Sequence, residues 1–444
     1  MHYIRILRPP SFVASSARGD AQLQLLLTIT TDLGESFLYP LQPVDLDVVL
    51  YLHGSVEEKG GIKLPVAKGE NTLRWTAGSR VLKTKVNLPP QASSSARLSR
   101  AVVCVRPLER RLSASSAADV LSSSCGLIMP LYVAPRSNHP EETMALRRLR
   151  IPEDAAEASP LCVEVEEELG ESIARHVWDA GVYVAVLLTK ICSSSSSSSS
   201  YSNDEKSCMP ALEKILGSRE KLDVLEIGSG VGILGIGLAT AILGRHEESA
   251  SSTKRPVSIL MTDLPEAQDR AAANISRYEA MVSQRQRQRQ QRPTEDEAAK
   301  EDGNGADAGS RQAPIVDYEN LDWEDGRAGV FAPKILARPW DLVMLSDCTY
   351  NVDMLPALVE TLSEIHSTTS PKHTSQEDDG HHHHLLHHPR VLLATKRRHD
   401  SEKALFDLMA GAGWSIEENR TFELHDFDSA SQHIEVYLFG RKRP

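Results

Sequence analysis

Between Val224 and Gly235 the chain reads VLEIGSGVGILG, an apolar run that carries one acid, Glu226, and then four glycines leading into a helix-compatible stretch. That order specifies a buried strand, a tight turn with bare backbone, and a helix whose first N–H groups face whatever sits above the turn. The same grammar continues downstream. Apolar runs at Val224–Ile227, Ser258–Met261, Asp341–Leu345 and Val391–Ala394 read as buried strands, with helical stretches near Leu234–Leu243, Glu266–Tyr278, Met354–His366 and Glu402–Gly411. Strands alternating with helices predict an α/β fold with a mostly parallel sheet. At the end of the chain, WSIEENRTFEL and HIEVYLFGRK form two strand patterns with no helix between them, which predicts an antiparallel hairpin at one sheet edge.

Before residue 150 the pattern differs. LQLLLTIT, VDLDVVLYLHG, TLRWTAGSRVLKTKVNL and AVVCVRPL are short, partly alternating and separated by Gly, Pro and Ser, which predicts a β-rich region of unknown role; the third reads as a hairpin closed by TAGS. Three low-complexity insertions interrupt the later α/β part, near 193–207, 284–312 and 367–389, and read as disordered spacers. Of these, the Gln/Arg run from Gln284 could contact RNA or simply extend the preceding helix, and the histidine cluster at His381–His388 has no rigid metal site around it.

A formal charge of −12 argues against a dedicated nucleic-acid binder. The six cysteines lack C-x-x-C or metal spacing, which points to a reduced intracellular protein, and no apolar run reaches the ~20 residues of a membrane-spanning helix. The basic, Ser-bearing first 20 residues faintly resemble an organelle transit peptide, but Pro9-Pro10 would break the helix such peptides need. The expectation is therefore a cytoplasmic or nuclear protein, monomeric by default, with no metal.

Three ligands suit a strand–glycine loop–helix. A nucleotide P-loop needs G-K-[ST], which is missing. Gly230-Val231-Gly232-Ile233-Leu234-Gly235 matches the nicotinamide fingerprint G-x-G-x-x-G, yet its apolar strand ends at Ile227 and the next strand-end acid, Asp263, lies 28 residues beyond Gly235. S-adenosyl-L-methionine fits the register better: Glu226-Ile227-Gly228-Ser229-Gly230 supplies acid-x-Gly-x-Gly, and Asp263 stands where a carboxylate would accept both ribose hydroxyls. Asp263 could also cap the following helix, with Glu266 completing a capping box.

With these residues in view, VLEIGSGVGILGIGLA is similar to the first motif of the seven-β-strand (class I) S-adenosylmethionine-dependent methyltransferases. HVWDAGVYVAVLL, DYENLDW, DLVMLSDCTYN and VLLATKRRHDSEKALFDLMAGAGW resemble the branch that contains many protein-lysine methyltransferases, over residues 160–442. The resemblance implies a Rossmann-like seven-stranded sheet. It also implies that Trp178 flanks the cofactor, that Glu226, Gly228, Ser229 and Gly230 form its cradle, that Asp263 holds its ribose and Trp323 its adenine, and that Ser346 is the small residue ending the fourth strand. Asp347-Cys348-Thr349-Tyr350 matches a D-x-x-Y motif where donor and acceptor meet, with Asp347 orienting a lysine ammonium and Tyr350 shaping the channel. A protein substrate is the expected partner. A small amine as acceptor, or a non-catalytic interaction module on this fold, are the competing readings.

Overall fold

The computed structural model describes residues 1–14, 21–52, 60–67, 73–90, 101–134, 144–151, 160–168, 172–194, 208–217, 221–248, 256–290, 313–369, 388–427 and 431–441. They form two compact units, one of residues 1–187, 394–397 and 421–435, the other of residues 188–393, 398–420 and 436–444. The first therefore extends well past residue 150 and recruits two short segments from the far end of the chain.

The first unit is a pair of sheets around one apolar core. One sheet centres on Ala21–Thr31, flanked by His2–Ile6, Ser11–Ala14 and Leu82–Asn87; the other runs from Cys162–Glu168 through Met144–Arg150, Leu131–Val133 and Val102–Pro107 to Val44–Tyr51. Ile4, Leu25 and Leu27 from the first sheet and Val48, Val103 and Leu131 from the second share a single buried cluster, the arrangement expected of strands with one apolar face each. The β region thus begins at His2, ahead of LQLLLTIT, the first strand pattern legible in the sequence. The hairpin expected around TAGS does not form. A turn is present, with Gly78 at φ 83° and the Ser79 N–H donating to the Thr76 carbonyl at 3.0 Å. But Arg74–Trp75 pairs with Val44–Tyr51 in one sheet and Leu82–Asn87 with Ala21–Thr31 in the other. Trp75, fully buried with its indole N–H on the Leu38 carbonyl at 2.8 Å, anchors the chain as it crosses between layers.

A seven-stranded sheet whose strands lie wholly or mostly in the second unit comprises β1 Leu222–Ile227, β2 Val257–Asp263, β3 Ile315–Asn320, β4 Leu342–Ser346, β5 Arg390–Thr395, β6 Trp414–Leu424 and β7 Gln432–Arg441, in the order β3-β2-β1-β4-β5-β7-β6. β1 runs parallel to β2 and β4, and β2 to β3. All six residues of β1 are buried, as a strand covered on both faces requires. Helices α1 Ile233–Glu248, α2 Pro265–Gln290, α3 Leu355–Thr369 and α4 Ala404–Gly411 connect the strands. Helix α2 absorbs Gln284–Gln290, so the start of the Gln/Arg run extends the helix, in keeping with the helix propensity of Gln and Arg. The remainder of the three insertions falls outside the described residues, apart from Ser193 and Ser194 at a helix end, Thr369 and its two predecessors at the end of α3, and His388 and Pro389. Among the described residues no helix is long and apolar enough to cross a membrane.

Candidate active site

The strand order reverses between β1 and β4, since β2 and β3 continue on one side and β5, β7 and β6 on the other. Open α/β sheets bind ligands at the carboxyl ends of the strands at such a point. The two motifs with most chemistry, after β1 and after β4, are both there.

After β1 the chain enters the left-handed region three times, at Gly228 (φ 66°), Gly230 (φ 54°) and Gly232 (φ 83°). The loop hangs from the end of β2: the Ser229 N–H donates to the Thr262 carbonyl at 2.9 Å and the Gly230 N–H to Asp263 Oδ2 at 2.7 Å. Asp263 Oδ1 accepts the Leu264 N–H at 2.7 Å, and helix α2 opens at Pro265. The carboxylate is thus directed at the glycine loop, a use beyond capping of the helix. Burial raises its pKa, against the two N–H groups that favour the ionised form.

Two polar atoms in this cradle have no hydrogen-bond partner among the described residues although their residues are buried: Glu226 Oε2 and Ser229 Oγ, of residues 1% and 6% exposed. Unsatisfied buried polar atoms next to bare glycine backbone fit a polar ligand carrying hydroxyl and amino groups. Trp323 opens a short helix, Trp323–Arg327, capped by Asp322 through the Glu324 N–H at 2.9 Å. Its ring Cζ2 lies 3.6 Å from where a Cβ on Gly228 would project, so an aromatic edge borders the cradle. Trp178 belongs to the first unit, where its indole N–H donates to the Ile173 carbonyl at 3.2 Å and its ring meets His176 edge-on.

Burial pushes the Glu226 carboxyl up from 4.5 to about 8; the Gly235 N–H opposes this and Asp263 adds to it. The folded protein therefore holds a proton there at neutral pH that the unfolded chain has lost. The unfolded state binds fewer protons between about 4.5 and about 8, so stability falls as pH rises through that window and is level above it. Glu226→Gln should remove this slope. Thermal midpoints of the two proteins are expected to diverge in favour of the variant between pH 5 and pH 8; parallel curves would refute a neutral Glu226.

β4 ends at Ser346, and Asp347 follows at φ 51°, which among the described residues is the one non-glycine with positive φ. That conformation costs an L-residue about 1–2 kcal/mol. It lets the next two side chains turn inward: Cys348 and Thr349 are 5% and 2% exposed, whereas Tyr350 stands at the mouth, 54% exposed. Burial keeps the Cys348 thiol protonated, its pKa well above the usual value. It donates towards the Ser346 and Ile227 carbonyls at 3.3 and 3.5 Å, joining the ends of β4 and β1. The Tyr350 hydroxyl pKa is raised by burial and by Cys348, Asp263 and Glu266.

Four residues that pattern reading does not single out complete the polar wall. Thr349 Oγ1 donates to Glu402 Oε2 at 2.6 Å, and Glu402 Oε1 accepts the N–H groups of Arg398 at 2.9 Å and His399 at 3.0 Å. Arg398 Nη2 comes within 4.0 Å of the Asp347 carboxylate, whose side chain is 5% exposed. Among the described residues no group of three or more His, Cys, Asp or Glu is arranged to hold a metal.

Comparison with known proteins adds the following. A family model described as lysine methyltransferase matches residues 158–298 and 304–412, more than half of the chain. A UPF0665 family protein from Schizosaccharomyces pombe is 23% identical over 414 residues, spanning 92% of this chain and 93% of that one. Among solved structures, an O-methyltransferase family protein from Burkholderia thailandensis aligns with a TM-score of 0.29 at 13% identity, over 59% of this chain and 58% of that chain, which is under two thirds of its length. A putative RNA methyltransferase from Pyrococcus horikoshii aligns with a TM-score of 0.28 at 10% identity, over 58% and 98% of the respective chains.

Proposed function

Given that this chain belongs to the lysine methyltransferase family, of the class I S-adenosyl-L-methionine-dependent fold, we propose that it methylates the side-chain amine of a lysine in a protein substrate. The observation that carries this reading is the placement of Asp347, a mostly buried carboxylate next to the Cys348 that packs under Gly228, with the Arg398 guanidinium 4.0 Å away. A carboxylate in that position suits a cationic acceptor better than a planar amide or a phenol.

In this reading Gly228, Ser229 and Gly230 line the cofactor through backbone and hydroxyl, Asp263 holds its ribose, and Trp323 covers its base. The cofactor supplies a methyl group already activated on a sulfonium. What the protein adds is alignment, and orientation of this kind is worth roughly 7–11 kcal/mol. Asp347 attracts and orients the incoming ammonium. The nucleophile must be neutral, and losing the proton of a lysine with a pKa near 10.4 costs about 4–5 kcal/mol at pH 7. Asp347 alone would raise that cost. The buried floor made by Cys348 and Thr349 lowers it by disfavouring the ammonium, and the proton leaves to solvent at the mouth beside Tyr350 rather than to a strong base.

The test separates cofactor from acceptor. In calorimetric titration with S-adenosyl-L-methionine, Asp263→Ala is expected to weaken binding at least about tenfold, the loss of hydrogen bonds to a charged acceptor, while Asp347→Ala binds within about twofold of the parent. With tritiated methyl donor and a cell lysate, the parent protein labels protein bands and Asp347→Ala loses about a hundredfold in rate. Label confined to the acid-soluble fraction would replace the protein substrate by a small amine. Full turnover by Asp347→Ala would remove its assigned role.

A further inference from the structure

The strained residue that follows β4 is held through the two residues after it. Asp347 occupies the left-handed region, and the inward turn it makes is secured at both following residues. Cys348 is packed under Gly228, with its sulfur 2.5 Å from the position of a Cβ there. Thr349 donates to Glu402, both buried, at 2.6 Å. Strained backbone persists only where its surroundings over-determine it, so the Thr349 hydrogen bond is a candidate for what keeps the turn in place.

Glu402 has a second grip. Its other oxygen takes the backbone N–H groups of Arg398 and His399, in the segment between β5 and α4 from which the Arg398 guanidinium reaches towards Asp347. One carboxylate therefore braces the Asp347 backbone through Thr349 and, on the other side, the chain that carries the cation facing Asp347. All three of its named donors are protein groups, which marks it as a brace rather than a group awaiting a ligand.

We propose that Glu402, acting through Thr349, is a positioning residue that holds Asp347 in its left-handed turn and so sets the direction in which the acceptor amine approaches the methyl group. The inference rests on the reading of Asp347 as the acceptor-orienting group.

The experiment compares Thr349→Val, which removes the donor at nearly constant volume, with Thr349→Ser, which restores it, and with Glu402→Gln and the double variant. Three quantities are read: S-adenosyl-L-methionine affinity by calorimetry, thermal midpoint, and initial rate of tritium transfer into lysate protein at saturating cofactor. Thr349→Val is expected to lower the rate about tenfold to a hundredfold, as small misplacements of reacting groups do, with cofactor affinity within about twofold. Thr349→Ser should recover most of the rate, and the double variant should be no slower than the slower single variant, because both break one contact. Full rate in Thr349→Val overturns the proposal. So does a joint loss of rate, cofactor affinity and midpoint that Thr349→Ser leaves uncorrected, which a merely structural role would produce. Asp347→Ala in the same series keeps the two readings apart: if it retains full rate, the role of Asp347 fails; if it loses rate while Thr349→Val keeps it, the brace alone fails.

Discussion

Gly228→Ala is expected to weaken S-adenosyl-L-methionine binding at least about a hundredfold, close to 3 kcal/mol. Gly228 sits at φ 66°, where an L-side chain is strained by about 1–2 kcal/mol. Its new methyl carbon would stand 2.5 Å from Cys348 Sγ, well inside contact distance. That sulfur cannot retreat cheaply, because it donates into the carbonyls that end β1 and β4. Relief has to come from moving the glycine loop itself, the proposed cofactor cradle. Gly217→Ala is the control, since a Cβ there meets nothing within 4 Å. Calorimetry on both variants, with circular dichroism to show that each is folded, decides the matter; binding by Gly228→Ala equal to that of Gly217→Ala would mean the loop is not the cradle.

The second large effect lies in the first unit and concerns stability. Arg147 and Glu167 form an ion pair at 2.6 Å with side chains 1% and 0% exposed. Arg147 also donates to the Pro130 carbonyl at 2.8 Å, and Glu167 accepts the Val177 N–H at 3.0 Å. Glu167→Ala leaves a guanidinium buried beside lost partners, a change that typically costs about 3–5 kcal/mol. Replacing both residues with apolar ones, Arg147→Met with Glu167→Leu, should cost much less, because no orphaned charge remains. Denaturant unfolding of the three variants would test this, and equal losses for the single and double changes would refute it.

The pair also sets an acid limit. Burial opposes ionisation of Glu167, but Arg147, His176 and the Val177 N–H outweigh it and hold the carboxyl well below the usual 4.5. A depressed carboxylate contributes stability that is present above its unfolded pKa and disappears as pH falls towards the folded one. Unfolding of the first unit on acidification below about pH 4.5 should therefore be softened in the apolar double variant.

Much of the α/β unit is legible because strands covered on both faces are continuous apolar runs; β1, β2, β4 and β5 each announce themselves in this way. The edge strand β3, Ile315–Asn320, escapes that criterion, since half of it faces solvent and its residues alternate. The glycine loop is readable because its carboxylate and glycines follow from what the backbone must do there. Glu402 is not. It completes a capping box whose first residue is His399, accepting the Ser401 N–H at 3.2 Å through its ring nitrogen, and histidine is not among the residues that advertise a helix start. Its partner Thr349 lies 53 positions away, a pairing that only the fold creates. The expected hairpin at TAGS misleads for a related reason: the turn chemistry is local and correct, while the destination of each strand is decided by the burial of Trp75.

The first unit takes residues 1–187 together with 394–397 and 421–435. His2 contacts Asp426 at 3.4 Å, and Tyr183 packs against Phe422. On a ribosome that emits roughly 5–20 residues per second, the roughly 250 residues between the first segment and the last take about 12–50 s to appear. For that interval the nascent sandwich lacks the pieces that cover His2 and Tyr183. Gene fragments ending near residue 187 inherit the same gap permanently, so the two units are poor candidates for separate expression even though each is compact.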